Sequence, residues 1–365
     1  MFIDGTFYRA SGIGRYYSNL VKLMLEETDW KLITTVPESK KKDWLEEFNS
    51  HENITPIFVK HRKFSVEGFW KLGKIIKELE KECQVFWFPQ INLPSYVPEN
   101  TIVTIHDLCP LTHWWDRGTV RKILFAQLAK RAIKKARIVV VPSNFTKEEL
   151  LKNFPEVEGK VKVVYNFVDE KFLTKQASDE PPLVKEDYIL YVGNRKKHKN
   201  LKNLVLAYLK VKDQVHCKLV IAGTRDKNKT KDEIDELIQK LKIEKFIIQF
   251  DSPTDSVIMN LYRHAKLFVF PSFYEGFGFP PLEALACGCP VITSNIPVLI
   301  ETLGEEIACF DPNSVNDMAE KITEIIKNSS KRKKILNLGE EKLSKFSKSA
   351  LIESYMNLLS QLEVQ

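Results

Sequence analysis

Short apolar runs alternate with helical stretches along this chain, and the alternation runs through twice. In the first pass, strands are predicted at Phe2–Asp4, Lys31–Val36, Val85–Phe88, Ile102–Ile105 and Ile138–Val141. Helices are predicted between them, at Gly14–Glu26, Val66–Glu82, Val120–Ala136 and Thr146–Asn153. Thr146-Lys-Glu-Glu149 has the pattern of a capping box, and Ser143 also suits a helix cap. In the second pass, strands fall at Tyr188–Val192, Lys218–Ala222, Phe246–Phe250, Leu267–Phe270 and Pro290–Thr293. Helices fall at Leu201–Lys210, Lys231–Leu241, Asp255–His264, Pro281–Ala286 and Val315–Lys327. Strands that take turns with helices predict parallel, doubly wound sheets covered on both faces. With 365 residues, 44% of them hydrophobic, the chain is long enough for two such α/β domains. The polar stretch 174–184, with paired prolines, separates the passes. The expected division is 1–172, a linker at 173–186, a second domain at 187–345, and a final helical segment at 346–365.

The densest chemistry follows the apolar run Lys266–Pro271. Glu275-Gly-Phe-Gly-Phe-Pro-Pro-Leu-Glu283 places two acids eight positions apart around a glycine pair and a proline pair. Gly276 and Gly278 let backbone approach a ligand closely. Pro280 and Pro281 suit a helix start, where a missing N–H costs nothing. Free amides near Leu282 and Glu283 would then favour an anion such as a phosphate. Carboxylates accept hydrogen bonds and so suit sugar or ribose hydroxyls. Taken singly, Glu283 is equally a first-turn helix acid and Glu275 a solvated loop acid.

The whole string resembles the E-x7-E element of retaining glycosyltransferases of family 4, which have the GT-B fold. Three further motifs agree with the same family. Ser11-Gly12-Ile13-Gly14-Arg15-Tyr16 follows the first strand, Thr104-Ile105-His106-Asp107-Leu108 ends another, and Gly193-Asn-Arg195-Lys-Lys-His-Lys199-Asn200 opens the second pass. The resemblance implies two Rossmann-like domains facing a central cleft, with the last helix crossing back to the first. It implies a nucleotide diphosphate sugar as donor, contacted by Gly12, Gly14, Gly193, Arg195, Lys199, Gly276, Phe277, Gly278, Phe279, Leu282 and Glu283. His106, Glu275, Arg195 and Lys199 take the catalytic roles in that reading. The family sets its arginine directly after the glycine, where this chain has Asn194, so Arg195 is displaced by one position. For His106 the structural alternative is a histidine pinned by Asp107. The motif pairing is most similar to bacterial mannosyltransferases of surface polysaccharide assembly. The implied donor is therefore GDP-mannose, with UDP-glucose, UDP-galactose and UDP-N-acetylglucosamine as alternatives. A nucleotide-sugar epimerase and a binding-only protein are the readings from other classes.

No Asp-x-Asp occurs, so no metal is expected to carry the diphosphate. The six cysteines show no CxxC or zinc spacing and fit a reducing compartment. No apolar run is long enough for a membrane span and no signal-peptide pattern is seen, so a cytoplasmic location is expected. Residues 121–137 hold seven bases and no acid, among them Arg121, Lys122, Lys130, Arg131, Lys134 and Lys135. Ile123, Leu124, Leu128, Ala132 and Ile133 form the apolar stripe of that helix. The plain reading is a core helix with a solvated basic back. The sharper one is contact with an anionic membrane or a lipid-linked glycan acceptor. Residues 60–77 mix bases with Phe64, Phe69 and Trp70 in the same way. No nucleic-acid-binding motif is present.

Overall fold

A computed structural model describes residues 1–115, 118–173, 180–225 and 231–363. The chain divides into two compact units. The first holds Met1–Leu111, Arg117–Phe167 and Lys348–Gln365, and the second Thr112–Asp116 and Val168–Ser347.

In the first unit the elements run β1 (Phe2–Asp4), α1 (Ser11–Glu27), β2 (Leu32–Pro37), α2 (Lys41–Phe48), β3 (Ile54–Val59), α3 (Val66–Leu79) and β4 (Phe86–Phe88). They continue with β5 (Thr101–Thr104), α4 (Thr119–Lys135), β6 (Ile138–Val141), α5 (Asn144–Asn153) and β7 (Val161–Val163). All seven strands are parallel, in the order β3-β2-β1-β4-β5-β6-β7. β3 contains Pro56, and its edge position leaves the missing N–H without a ladder to break. Helix α5 starts earlier than the capping-box pattern at Thr146 suggests: Ser143 is the cap and accepts the Thr146 N–H at 3.0 Å.

The second unit begins with α6 (Glu170–Leu173), β8 (Tyr188–Val192), α7 (Leu201–Val215), β9 (Lys218–Gly223), α8 (Glu233–Lys240), β10 (Ile247–Asp251), α9 (Asp255–His264) and β11 (Leu267–Phe270). It closes with α10 (Phe279–Ala286), β12 (Val291–Ser294), α11 (Pro297–Leu303), β13 (Ala308–Phe310), α12 (Val315–Lys327) and α13 (Ser329–Lys345). Its six strands are also parallel, in the order β10-β9-β8-β11-β12-β13. The last helix, α14 (Lys348–Glu363), belongs to the first unit. Its Tyr355 ring lies 6.3 Å from Trp87 and 6.1 Å from Phe167.

The units part at Phe167/Val168 rather than inside 173–186. Lys171 Nζ binds Asp255 at 2.7 Å, and Asn260 holds the Leu183 N–H and the Pro181 carbonyl at 3.1 Å each, so this stretch is fastened to the second unit. Residues 174–179 of the expected linker lie outside the described residues. Among the described residues no helix is long and apolar enough to cross a membrane.

Candidate active site

Each sheet reverses its winding once, between β1 and β4 and between β8 and β11. Helices leave in opposite directions there, and the crevice beyond the strand ends is where open α/β sheets bind ligands.

In the second unit that crevice has a bare floor. Gly193 follows β8 and Gly223 ends β9, with the Gly193 N–H bonded to the Ala222 carbonyl at 2.9 Å. Gly223 has φ +155°, and a Cβ there would run into the Gly193 carbonyl. Only glycine at 223 allows this approach. Beyond the floor, the loop after β8 is pinned to the loop after β11. Asn200, at φ 57°, donates to the carbonyls of Pro271 at 2.9 Å and Pro312 at 2.8 Å. The His198 carbonyl accepts the Phe273 N–H at 2.8 Å. This brace brings Lys199 Nζ to 2.6 Å from Glu275 Oε1, with the side chains only 15% and 12% exposed. Trp114 lies flat on Phe273, at 3.9 Å between ring centres and 5° between planes.

The glycine–proline segment differs in detail from the sequence reading. α10 starts at Phe279, with Gly278 as its cap at φ +105°. Counting from Gly278, the amides of Leu282 and Glu283 fall within the helix's own i→i−4 bonding range. The prolines have no N–H, so the groups left over at this helix end are those of Gly278 and Phe279. Leu282 is fully buried, which turns its side chain away from solvent. Phe277 is buried too, its ring 5.5 Å from Phe346. Glu283, 2% exposed, sits inside the helix rather than at its first turn. Gly276 precedes this turn and is itself buried.

Arg195 departs further from expectation. Its guanidinium is 3% exposed and lies 3.2 Å from both Asp232 and Asp235, with Gln249 as a further acceptor. Arg225 adds a second contact to Asp235 at 3.3 Å. Burial alone would raise the Asp235 pKa, but the Asp232 backbone N–H and Arg195 together hold it below the ordinary carboxylate value. Asp232 and Asp235 form the capping box of α8, so Arg195 fastens its loop to that helix start. The signal for this was Asp232-x-x-Asp235, more than thirty residues along the chain. Two groups had no sequence signal at all: the buried hydroxyls of Ser272 and Ser294, at the ends of β11 and β12, have no hydrogen-bond partner among the described residues.

In the first unit the corresponding strand ends hold Asp4, which accepts from Thr35 at 2.6 Å and Gln90 at 2.9 Å. His106 follows β5. Its Nε2 lies 2.9 Å from the Pro89 carbonyl, and its ring meets Tyr16 edge-on at 4.9 Å. Burial lowers its pKa from the usual 6.5, which favours a neutral ring. Nε2–H then donates to Pro89 and Nδ1 remains an acceptor. Asp107 does not pin it: Asp107 Oδ1 accepts the Cys109 N–H at 2.9 Å. Gly12 and Gly14 separate in role. A Cβ on Gly14 would strike Arg9 and Phe7 backbone at 2.6 and 2.7 Å, whereas one on Gly12 would meet nothing within 4 Å. Gly14 is needed for packing, and Gly12 stands at open space.

Of the basic residues on α4, Arg121, Lys122, Lys130, Lys134 and Lys135 are exposed. Arg131 is not available: it donates to the Leu93 carbonyl at 2.9 Å and to that of Pro94, and covers the Phe69 ring at 5.2 Å. Among the described residues no group of three or more His, Cys, Asp or Glu side chains could hold a metal ion.

Two doubly wound units in one chain, the second with a braced cation–acid pair at its switch point, define a GT-B glycosyltransferase. Residues 10–172 match the family described as Glycosyltransferase Family 4, and residues 174–342 match Glycosyl transferases group 1. The chain belongs to this glycosyltransferase family. It is similar to O-antigen chain mannosyltransferase B of Escherichia coli, 25% identical over 370 residues and 93% of both chains. A Campylobacter jejuni relative is 25% identical over 310 residues, covering 80% of this chain and 81% of its own. It is described as N-acetylgalactosamine-N,N'-diacetylbacillosaminyl-diphospho-undecaprenol 4-alpha-N-acetylgalactosaminyltransferase. The solved structure of Anabaena HepE in complex with UDP and glucose shares the fold, with TM-score 0.78, 16% identity and 99% coverage of each chain.

Proposed function

We propose that this glycosyltransferase moves a hexose from a nucleotide diphosphate sugar to a glycan or lipid-linked oligosaccharide, in surface polysaccharide or lipopolysaccharide assembly. The observation that carries the reading is the Lys199–Glu275 pair over the glycine floor. Lys199 and the amides of Gly278 and Phe279 stabilise the departing diphosphate. Glu275 takes sugar hydroxyls and Glu283 the ribose, and in the first unit neutral His106 offers a fixed acceptor nitrogen. The bond from the anomeric carbon to phosphate oxygen breaks, and the acceptor oxygen bonds on the same face. The acceptor proton passes to the leaving phosphate, so configuration is retained without a protein nucleophile. The absence of Asp-x-Asp supports transfer without a metal.

Mannose from GDP-mannose is the first choice, supported by the name of the Escherichia coli relative. A UDP-linked sugar is the alternative, supported by the likeness to the N-acetylgalactosaminyltransferase. The site of action in this reading is the cytoplasmic side of the cell membrane. The test is calorimetric titration with GDP-mannose, UDP-glucose, UDP-galactose and UDP-N-acetylglucosamine, followed by turnover with and without chelator. Binding of GDP-mannose and chelator-insensitive transfer are expected. A chain that binds none of the four overturns the reading. Activity lost with chelator and restored by Mn²⁺ overturns metal independence.

A further inference from the structure

A line of buried polar groups ties four elements of the first unit together beside His106. Tyr16 of α1, Trp87 of β4, Thr104 of β5 and Tyr355 of α14 are all buried. Buried hydroxyls need partners, so each proton has to be accounted for. Trp87 Nε1 donates to Thr104 Oγ1 at 2.9 Å, and Thr104 Oγ1 donates to the Tyr16 hydroxyl at 3.2 Å. Tyr355 is the other hydrogen-bonding neighbour of that hydroxyl. Tyr355 gives its own proton to the Tyr165 carbonyl, at 3.3 Å. The ends set the direction of the line, because an indole N–H only donates and a carbonyl only accepts. Each hydroxyl between them has one proton, so Tyr16 donates to Tyr355. Burial raises the pKa of both phenols and keeps those protons in place. A line with such ends carries no proton away. It holds the Tyr16 ring.

That ring meets His106 edge-on, at 4.9 Å between centres and 80° between planes. The imidazole has one hydrogen-bonded point, Nε2 at 2.9 Å from the Pro89 carbonyl. The carbonyl is itself held, because the next residue, Gln90, donates to Asp4 at 2.9 Å and to the Asn92 carbonyl at 3.1 Å. A single hydrogen bond leaves a ring able to swing about it, and swinging moves Nδ1. Packing against Tyr16 removes that freedom. α14 is also fastened to the far end of α1, where Lys348 meets Glu26 and, at 3.7 Å, Glu27. The last helix thus reaches His106 through one pair of phenols.

We infer that Tyr16 is a positioning residue for His106, fixing the direction of its Nδ1, and that Tyr355 holds Tyr16 through its hydroxyl. The effect on transfer rests on the proposed role of His106; the hold on the ring does not.

The test is NMR of the full chain with nitrogen-15-labelled histidine, run beside donor turnover. The His106 Nε2–H signal, assigned by its loss in His106→Gln, should exchange slowly with water in the parent. Tyr16→Leu removes the wall and should speed that exchange about tenfold, with kcat about tenfold lower and donor KM within about twofold. Tyr16→Phe keeps the ring and should restore most of both, leaving each about threefold from the parent. Tyr355→Phe should match Tyr16→Phe, and the double phenylalanine variant should be no worse than either, because all three lose the same bond. Variants that melt lower but leave the His106 signal unchanged make the line purely structural and overturn the inference. A double variant whose losses multiply overturns the part given to Tyr355. His106→Ala with parental turnover overturns the effect on transfer, and the exchange rates still decide the hold on the ring.

Discussion

Replacing Lys199 by methionine keeps most of the side-chain volume and removes one charge. Lys199 Nζ lies 2.6 Å from Glu275 Oε1, and both side chains are largely buried. The variant leaves Glu275 without its counter-charge. Breaking a fully buried pair costs about 3–5 kcal/mol, and the slight exposure here reduces that to about 2 kcal/mol. Glu275→Gln should destabilise to a similar extent, by stranding the ammonium. The double variant Lys199→Met/Glu275→Gln removes both charges together, so its stability should return to within about 1 kcal/mol of the parent. Transfer should follow a different rule. A cation about 4 Å from a diphosphate, at an effective dielectric of about 20, contributes about 4 kcal/mol. Losing that differentially in the transition state lowers kcat/KM by about 10³-fold. The double variant should regain stability and remain as inactive as Lys199→Met. Thermal melts give the first quantity, and donor consumption with an accepted nucleotide sugar gives the second. A double variant that recovers both stability and turnover would show the pair to be structural and refute the reasoning.

Two further outcomes follow from buried groups. Arg195→Met removes the cation beside Asp232, while Asp235 keeps Arg225, and should cost about 3 kcal/mol in denaturant unfolding. Donor affinity of the folded remainder should change less than about threefold; a hundredfold loss would return Arg195 to the diphosphate. His106 has a folded pKa below its usual 6.5, so the unfolded chain binds the proton more readily. Its contribution to stability is complete above that value and shrinks as pH falls from 6.5 toward the lowered pKa. His106→Gln should therefore melt with a shallower pH dependence over that window, and an unchanged dependence would count against the buried neutral ring.

Much of this architecture could be read from periodicity. The strands at Ile138–Val141, Tyr188–Val192 and Leu267–Phe270 are continuous apolar runs, as parallel strands covered on both faces tend to be. β3 escaped notice because Pro56 and Thr55 interrupt its apolar run, a tolerance that edge position alone explains. α13 escaped because its surface is almost wholly charged, with Ile335 and Gly339 its buried contacts. The stripe on α4 was legible as a stripe, but periodicity does not say which residues of a mixed helix face the sheet. Small Ala129 and Ala132 allow close packing, and the larger Ile123 and Leu124 were left outside. Glu275 and Lys199 could be placed at strand ends from sequence, yet their direct pairing could not. It depends on Asn200 holding carbonyls at Pro271 and Pro312, contacts that span 71 and 112 positions.

The displaced arginine shows how one position changes a charge's task. Arg195 lies in the loop after β8, and its guanidinium reaches Gln249 on β10 and the start of α8. There it meets two carboxylates and a glutamine and is held at 3% exposure, so an incoming anion would have to compete with all three acceptors. Lys199 is held differently. Its carboxylate partner is one that sugar hydroxyls can also satisfy, so the ammonium can exchange Glu275 for a phosphate while Glu275 takes up the hydroxyls. The first arrangement fixes a loop, and the second can be traded for substrate at little electrostatic cost. That difference, more than the count of cations in Arg195–Lys199, is the reason the proposed function assigns the leaving group to Lys199.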